Sequence, residues 1–590
     1  MKSSKNIVEG YLKKQDWRVK ENSNSPYSYG GLGKHMIAEV SKDYWLREVY
    51  PEYIAKEYLD GSMHIHDLGG LTLYCCGYSL SKLITTGVKG VPNIPTSSPA
   101  KHFDSILNQI SNMVTVYQNE IMGAVAFSSV DTLLAPFIKK DELKYSEVKQ
   151  ALQNFIFSIN SNSRGGAEPA FSNITLDLTP PKDLLNEYAM IGDGLADFTY
   201  KECQREMDMF NRAFCELMIA GDSNGRPFAY PIPTYNIHER FDWNNPNNKL
   251  LWEMAGKYGY PYFANFLNSD MKPEDARSMC CRLRLDLTEL QKRNGGLFGS
   301  GDSTGSIGVV TINLPRIAYK TKGDKDAFFT ELDRVLNIAK DSLEIKRSWL
   351  QKNVIDTRLI PAFDTYVGTM RNHFSTIGIV SMNEMCENFF GEGRDILTDE
   401  GKQFAVEVGE HIRNKLLDFQ KETGNLYNFE ATPAESTSYR LAKKDKEEFP
   451  DIITRGTAKA PYYTNSCHIP VNKITSIKNT FDNQEDLQIL FTGGTVIHIF
   501  TSGAISGETA KNIIDTVCHE YKVPYVSISP LNRYCLEHGY IADKVDKCPI
   551  CNSNLKMYQR ITGYLRCVDN YNDGKKAEFY ERKQLSPEDD

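Results

Sequence analysis

The sequence predicts an α/β fold with a mostly parallel central sheet, and two observations lead to this class. Short apolar runs bounded by Gly, Asn or Pro are typical of buried strands, and they occupy residues 308–314, 377–380, 496–500 and 525–528. Long segments with helical spacing separate them, at residues 200–219, 326–350, 398–423 and 508–521. Strands alternating with long helices indicate parallel pairing. Periodicity alone does not decide between a barrel and an open sheet.

Composition narrows the class of protein. The chain has 590 residues, a net charge of −8 and 41% apolar residues, which argues against binding nucleic acid mainly by charge. We see neither a signal-peptide core nor an apolar run long enough to span a membrane. The 13 cysteines indicate thiols and metal ligands in a reducing compartment. We therefore expect a cytoplasmic protein that binds neither membranes nor nucleic acid.

The N-terminal part contains three informative stretches. Apolar residues three and four apart between Ile106 and Ile121 predict a helix. His64 and His66 would share one face of a strand, but a metal site there lacks a third ligand apart from Asp67. The adjacent thiols of residues 75 and 76 would point to opposite faces of a strand, so one of them at most faces a pocket.

Two further segments are predicted to be loops. Residues 295–305 are rich in glycine, but they lack a Gly-Lys-Ser/Thr sequence and precede a strand, so a flexible loop is favoured over a phosphate-binding loop. The charged residues 442–450 are predicted to form a solvated loop.

The C-terminal part contains a candidate metal site. Two close pairs of soft ligands have the spacing of a tetrahedral zinc site: Cys535, His538, Cys548 and Cys551. Four protein ligands leave no position for a catalytic water, so the zinc would be structural. The alternative is a Cys-x-x-Cys redox pair with an incidental His and Cys.

Residues 560–564, Arg-Ile-Thr-Gly-Tyr, follow this pattern and resemble the glycyl radical loop of the anaerobic (class III) ribonucleotide reductases. A radical on Cα needs a planar centre, and only glycine lacks a Cβ that would crowd it. Other segments recur in that family in the same order: residues 21–24, 61–67, 74–77, 277–282, 306–316, 374–384, 432–435, 463–466 and 492–495.

The resemblance implies the ten-stranded α/β barrel of glycyl radical enzymes, with the radical loop threaded toward its centre. We expect a catalytic barrel over residues 1–530, followed over residues 531–590 by a zinc-binding segment and the radical loop. The stretch before Glu21 is too short for the N-terminal ATP-cone domain of many members, so we expect none.

The family mechanism implies roles for three residues. A separate activating enzyme, using S-adenosylmethionine and an iron–sulfur cluster, would take a hydrogen atom from Gly563. Gly563 would then oxidise Cys281, whose thiyl radical removes the 3′-hydrogen of a ribonucleoside triphosphate. Cys75 would supply the proton with which the 2′-hydroxyl leaves as water. No role is carried over to Cys280.

The substrate-binding candidates have hydroxyl, amide or imidazole groups: Thr464, Asn465, Ser466, Ser306 and His64. Structural capping is an equal alternative for the first three. Ser306 stands where formate-using members carry Asn, so we expect a redoxin-type reductant rather than formate. Cys467 and Cys567 are candidate relay thiols, with a buried structural role as the alternative.

The remaining expectations concern partners and competing functions. We expect a homodimer regulated by nucleotide effectors bound at a subunit interface. The competing enzyme is another glycyl radical enzyme, of the formate-lyase or dehydratase type; the zinc pattern and Cys75 favour the reductase. A zinc-ribbon protein that binds nucleic acid would need a basic patch, but Glu537, Asp543 and Asp546 are acidic.

Overall fold

The structure is a computed structural model that describes residues 3–14, 19, 27–269, 271, 303–432, 435–542 and 544–586. A large mixed sheet forms its centre. The strands, in chain order, are β1 (Met63–Ile65), β2 (Cys75–Gly77), β3 (Val125–Phe127), β4 (Ser172–Leu176), β5 (Tyr188–Ile191), β6 (Gly194–Thr199), β7 (Ile232–Ile237), β8 (Tyr262–Asn265), β9 (Gly305–Asn313), β10 (His373–Val380), β11 (Leu426–Glu430), β12 (Arg455–Gly456), β13 (Pro461–Tyr462), β14 (Ile497–Thr501), β15 (Tyr525–Pro530), β16 (Asn532–Cys535), β17 (Gly539–Ile541), β18 (Lys556–Arg560) and β19 (Leu565–Cys567).

The central sheet consists of two groups of strands running in opposite directions. Its order is β11-β10-β9-β2-β3-β4-β7-β8-β15-β14, and β1 pairs in addition with β9. Pairing is parallel from β2 to β8, from β9 to β11 and between β14 and β15, and antiparallel where β2 meets β9 and β8 meets β15. A parallel bridge between Glu430 and Gly493 joins the end of β11 to the segment before β14. These ten strands and β1 confirm the predicted α/β class.

Helices cover the sheet. The α-helices are Ser4–Leu12, Tyr29–Tyr44, Glu52–Asp60, Leu80–Thr86, Phe103–Glu120, Val130–Lys140, Tyr145–Ile159, Gln204–Ala220, Lys249–Tyr258, Leu314–Thr321, Lys325–Leu350, Pro361–Tyr366, Met382–Phe390, Asp399–Thr423, Glu435–Glu448, Ile477–Gln488, Gly507–Glu520 and Asp573–Glu581. The five helices predicted from periodicity are present, within a few residues of the predicted bounds. None of the described helices is long and apolar enough to cross a membrane.

One predicted loop is wrong. Most of residues 442–450 belong to the helix Glu435–Glu448, and Asp445 is fully buried. Asp445 accepts hydrogen bonds from Asn313 (2.8 Å), Arg316 (2.6 Å) and Tyr463 (2.7 Å). Asn313 ends β9 and also caps the next helix by accepting from the Arg316 backbone N–H. The charged stretch therefore anchors a strand end instead of lying in solvent.

After β15 the chain forms a separate antiparallel sheet in the order β17-β16-β18-β19. It begins at Asn532, directly after the central sheet ends. The final helix, Asp573–Glu581, returns to the main body, where Glu581 accepts a hydrogen bond from Tyr462 (2.6 Å) and Asn572 donates one to the Glu435 carbonyl (3.1 Å). The C-terminal segment is thus tied to the central body at both ends.

Candidate functional site

Gly563 lies in the tight loop between β18 and β19, whose register pairs Arg560 with Leu565. The loop closes through a hydrogen bond from the Ile561 N–H to the Tyr564 carbonyl (3.1 Å), and Gly563 is buried. Its carbonyl oxygen accepts hydrogen bonds from the Tyr262 hydroxyl and from Nη1 of Arg560 (2.9 Å).

A second arginine holds the entry to this loop. Arg582 donates to the carbonyl groups of Arg560 (2.8 Å) and Ile561 (3.1 Å). It also bonds to Glu578 (2.8 Å), which accepts a further hydrogen bond from Lys575. All three charged side chains are almost fully buried. Burial raises the pKa of Glu578, but the neighbouring Lys575 and Arg582 lower it by more, so the pKa lies below its ordinary value. The Glu578 side chain is therefore an ionised carboxylate between two cations. The C-terminal helix thereby fixes the loop backbone.

Cys75 is placed in β2 at the centre of the sheet. It is fully buried and sits opposite Ser306 of β9, so the two side chains share one face. A Cβ on Gly305 would collide with the Cys75 carbonyl, which explains glycine at that position. Cys75 packs in a small cluster with Ala124 and Ala126.

Cys76 points the other way. It belongs to the main hydrophobic core between sheet and helices, and burial raises the pKa of its thiol strongly. The two neighbouring thiols therefore face opposite sides of the sheet, as the strand geometry predicted.

Aromatic side chains connect Cys75 with the glycine loop. Phe171 packs against the Cys75 cluster, and its ring also lies edge-on to that of Tyr564, with centroids 5.8 Å apart. The Tyr564 hydroxyl donates to Glu435 (2.6 Å). Burial and this carboxylate raise the pKa of Tyr564 well above its ordinary value, so the phenol stays neutral and donates. The loop and Cys75 are thus on the same side of the sheet.

A row of polar groups extends from Ser306. Its hydroxyl contacts the Thr376 hydroxyl (2.8 Å) and donates to the Gly308 carbonyl (3.0 Å), and Thr376 donates to Oδ1 of Asn428 (2.7 Å). Nδ2 of Asn428 is buried and has no hydrogen-bond partner among the described residues. A buried amide in this state needs a water or ligand. Sequence reasoning missed Asn428; the available signal was one amide between the apolar residues of the short segment 426–429.

The three neighbouring residues predicted to bind substrate differ in their surroundings. Both the backbone N–H (2.7 Å) and the hydroxyl (3.0 Å) of Thr464 donate to buried Glu384, which supports the capping alternative for this residue. The Ser466 carbonyl accepts from the Met382 N–H (2.8 Å). The side-chain oxygens Oδ1 of Asn465 and Oγ of Ser466 are both buried without a hydrogen-bond partner in the described part of the chain.

Asn465 lines a cavity that reaches the glycine loop. Ile561 and Thr562 of the loop contribute to its wall, as do His498 and Thr432. Oγ1 of Thr432 is another buried atom without a partner among the residues described. The cavity residues Asn465 and Thr432 therefore have polar atoms that a ligand or water can bind.

His64 is placed apart from these groups. It pairs with Thr311 in the β1–β9 ladder, five positions along β9 from Ser306, or about 17 Å at the rise of a strand. Its Nδ1 lies 3.1 Å from Arg440. Burial, with smaller effects of His66 and Arg440, lowers the pKa of His64 well below its ordinary value. The neutral ring accepts a hydrogen bond from Arg440, and a contact of His64 with substrate stays a prediction.

The predicted zinc ligands converge. One ligand atom from each of Cys535, His538, Cys548 and Cys551 lies within 4.8 Å of the others. Sγ of Cys535 is 3.5 Å from both Nδ1 of His538 and Sγ of Cys551, and Sγ of Cys548 is 3.6 Å from that Nδ1. Tetrahedral zinc–thiolate geometry has sulfur–sulfur edges of about 3.8 Å, so the donor set fits zinc.

Several predicted positions cannot be placed. Cys281 and Cys280, with the rest of residues 277–282, lie outside the described residues, as do residues 21–24 and most of the glycine-rich stretch. The candidate relay thiols are described: Cys467 is fully buried in the main core, where burial raises its pKa to about 12. Cys567 is half-buried at the end of β19.

Comparison with known proteins gives concordant matches. A family model described as anaerobic ribonucleoside-triphosphate reductase matches residues 21–585. Curated relatives with that name include the Escherichia coli protein, 24% identical over 96% of this chain and 83% of its own, and the Enterobacteria phage T4 protein, 22% identical over 98% and 94%.

The fold is similar to that of solved structures. The anaerobic ribonucleotide reductase of Thermotoga maritima in complex with dATP and CTP matches with a TM-score of 0.75 at 20% identity, over 96% of this chain and 94% of that one. Another structure of the same protein has dATP in its specificity site, again with a TM-score of 0.75 and the same coverage.

Proposed function

Because this chain belongs to the anaerobic ribonucleoside-triphosphate reductase family, whose members are oxidoreductases that reduce nucleotides, we propose that Gly563, Cys281 and Cys75 carry its reaction. The supporting observation is the convergence of the glycine loop and Cys75 through Phe171. Ser306 lies directly opposite Cys75 on the same face.

Gly563 has the surroundings that a stored radical needs. It is buried in a loop fixed by Arg582 and Arg560, which excludes water and holds the backbone. When formed by a separate activating enzyme, a glycyl radical supplies a one-electron oxidant that can take a hydrogen atom from a cysteine thiol. Cys281 is assigned as that thiol by its position in the Met-Cys-Cys-Arg segment.

Cys75 is proposed as the proton donor to the departing 2′-hydroxyl. Cys75 is paired across the sheet with Ser306, and hydrogen bonds continue from Ser306 through Thr376 to Asn428 as a row of hydroxyl and amide groups. Nδ2 of Asn428, which has no hydrogen-bond partner among the described residues, is suited to a ribose hydroxyl. Asn465 and Thr432 provide polar atoms in the cavity that reaches the glycine loop.

The zinc ligands would hold the loop indirectly. Cys535 ends β16, and β16 pairs with β18, whose last residue leads into the glycine loop. A zinc ion bound by the four ligands would fix the β16–β18 pair, because the binding free energy of a structural metal is local folding free energy.

The proposed partners are nucleotides, an activating enzyme and a second copy of the chain. The named Thermotoga complexes contain dATP and CTP, which supports nucleotide binding here as both substrate and effector. We further propose a homodimer with the effector at the subunit interface, and a catalytic body over residues 1–530 followed by the zinc and radical segment.

The test is anaerobic activation followed by assay of deoxynucleotide formation from each ribonucleoside triphosphate. We expect products that depend on prior activation, and a kinetic isotope effect with 3′-deuterated substrate. Formation of a radical without any deoxynucleotide from the four substrates would reject the proposed reaction.

A further inference from the structure

The carbonyl oxygen of Gly563 is held by two side-chain donors. The Tyr262 hydroxyl and Nη1 of Arg560 (2.9 Å) both donate to it. A carbonyl oxygen has two lone pairs, so these two donors can occupy both. Tyr262 opens β8 of the central sheet, whereas Arg560 closes β18 beside the loop. The Gly563 carbonyl oxygen therefore accepts hydrogen bonds from two different strands, β8 and β18.

The two donors are themselves fixed. Arg560 is 3% exposed, and its Nη2 donates to the carbonyl groups of Gly259 and Tyr260 (3.4 Å for the latter). Its guanidinium carbon lies 4.3 Å from the centre of the Tyr262 ring, within cation–π range. A buried cation and a phenol are thus pre-positioned on one peptide oxygen.

This arrangement has an electronic consequence for a radical at Gly563. The unpaired electron on Cα is delocalised over the neighbouring amide nitrogen and carbonyl group. One of the contributing forms is dipolar and places negative charge on the carbonyl oxygen. Hydrogen-bond donors and a fixed positive charge stabilise such a developing charge, most of all in a water-excluded site. The strength of the Gly563 C–H bond then depends on these donors.

We propose that Tyr262 and Arg560 are positioning residues that tune the Gly563 radical through its carbonyl oxygen and shift hydrogen-atom exchange with the thiol partner toward glycine. The proposal rests on the proposed function, in which Gly563 carries the radical. It adds a specific role for Tyr262, which lies about three hundred residues from the loop in sequence and belongs to no sequence motif singled out above.

Loop anchoring alone does not explain Tyr262. Arg582 already fixes the loop through the carbonyl groups of residues 560 and 561, and neither of these belongs to the radical residue. In Tyr262→Phe the ring that stacks on Arg560 remains, and only the hydroxyl on the Gly563 oxygen is lost. The variant therefore separates tuning of the radical from support of the loop.

The experiment compares anaerobically activated wild type, Tyr262→Phe and a control, Tyr235→Phe, by high-field electron paramagnetic resonance. Tyr235 is a buried phenol of the neighbouring strand β7, and its hydroxyl contacts Cys215. Losing a hydrogen bond to a carbonyl oxygen raises spin density there and raises the largest principal g value. We expect this upward shift in Tyr262→Phe only, with a radical lifetime shortened roughly two- to tenfold.

An unchanged g tensor in Tyr262→Phe would overturn the proposal. If that variant forms no radical, Arg560→Lys provides the second test and must show the upward shift. Should both variants lack a radical while keeping wild-type zinc content and circular dichroism, the donors are required for forming the radical rather than tuning it, and the proposal is rejected. A wild type without a glycine-centred doublet would instead reject the proposed function.

Discussion

At the scale of single residues, the proposed radical at position 563 would account for glycine there, because a carbon-centred radical needs a planar centre. We expect Gly563→Ala to abolish the stable radical and to leave the fold nearly intact, because an added Cβ crowds the plane of the radical. The measurement is electron paramagnetic resonance after anaerobic activation, beside circular dichroism. Gly33→Ala is the control, since its methyl group would meet nothing within 4 Å. A doublet of wild-type intensity in Gly563→Ala would refute the assignment.

Cys75 and Cys76 form a matched pair on opposite faces of one strand. We expect Cys75→Ala to retain the radical and to lower turnover by about 10²–10⁴-fold, the range for loss of a general acid. Cys76→Ala should retain turnover, because its thiol lies in the core on the helix side. Steady-state assays on activated enzyme with quantified radical check both. Equal turnover of the two variants would exclude a proton-donor role for Cys75.

Residue types single out candidates for the site only where their chemistry is distinctive. Gly563, the thiols and the zinc ligands could be selected because few residues can perform their roles. Thr464 could not be resolved, since a hydroxyl that caps Glu384 and one that binds substrate look alike in sequence. Tyr262 and Asn428 were missed because their importance comes from contacts with residues on other strands.

At the scale of elements, the candidate zinc ligands and the glycine loop are connected through one small sheet, because Cys535 ends β16 and the loop follows β18. We expect Cys548→Ser to bind less zinc and to give a lower radical yield before global unfolding occurs, because the metal supports the β16–β18 pair. Metal analysis and radical quantification check this. Cys203→Ser, a buried thiol remote in sequence from the cluster, is the control. Full radical yield in zinc-free Cys548→Ser would show that the glycine loop does not depend on zinc, which contradicts the prediction.

The end of β9 depends on a buried ion pair. Arg316 and Asp445 are 2% and 0% exposed, with a distance of 2.6 Å between Nη1 and Oδ1. Without Asp445, the buried Arg316 would keep only the half-exposed Glu448 as an acidic partner, and Asn313 and Tyr463 would lose their acceptor. Asp445→Ala should therefore destabilise the protein by about 3–5 kcal/mol.

Chemical denaturation measures that loss of stability. Asp451→Ala removes an exposed carboxylate that pairs with Lys322 (3.8 Å) and accepts from Tyr319 (2.6 Å), and it should leave the denaturation midpoint nearly unchanged, because exposed pairs contribute little to stability. Equal effects of the two substitutions would show that Asp445 is not the anchor inferred from its contacts.

At the scale of the whole molecule, the surroundings of Ser306 bear on which reductant completes the reaction. The Ser306 hydroxyl is engaged by Gly308 and Thr376, so it is poorly placed to hold formate. We expect a reduced thioredoxin or glutaredoxin to support turnover better than formate does. The assay supplies each reductant alone to activated enzyme and counts deoxynucleotides per radical. Multiple turnovers with formate and none with any redoxin would contradict this.

Most of the fold was predictable because its long helices and buried strands carry strong periodicity. The helix Asp399–Thr423 and strand β9 illustrate this. The error at residues 442–450 has a physical cause: Asp445 is charged, yet partners from β9 and its following helix compensate the charge inside the protein. The order of strands could not follow from local patterns, because the β2–β9 and β8–β15 pairs join residues that are far apart in the chain.

The most direct measurement is the electron paramagnetic resonance spectrum of anaerobically activated protein, compared between unlabelled protein and protein grown with [2,2-²H₂]glycine. In unlabelled protein we expect a doublet from the remaining α-hydrogen of Gly563, together with deoxynucleotide formation. Deuteration should collapse the doublet to a single line, and Gly563→Ala should remove it. Turnover without a glycine-centred signal, or a doublet that persists in Gly563→Ala, would contradict the assignment of the radical to this loop.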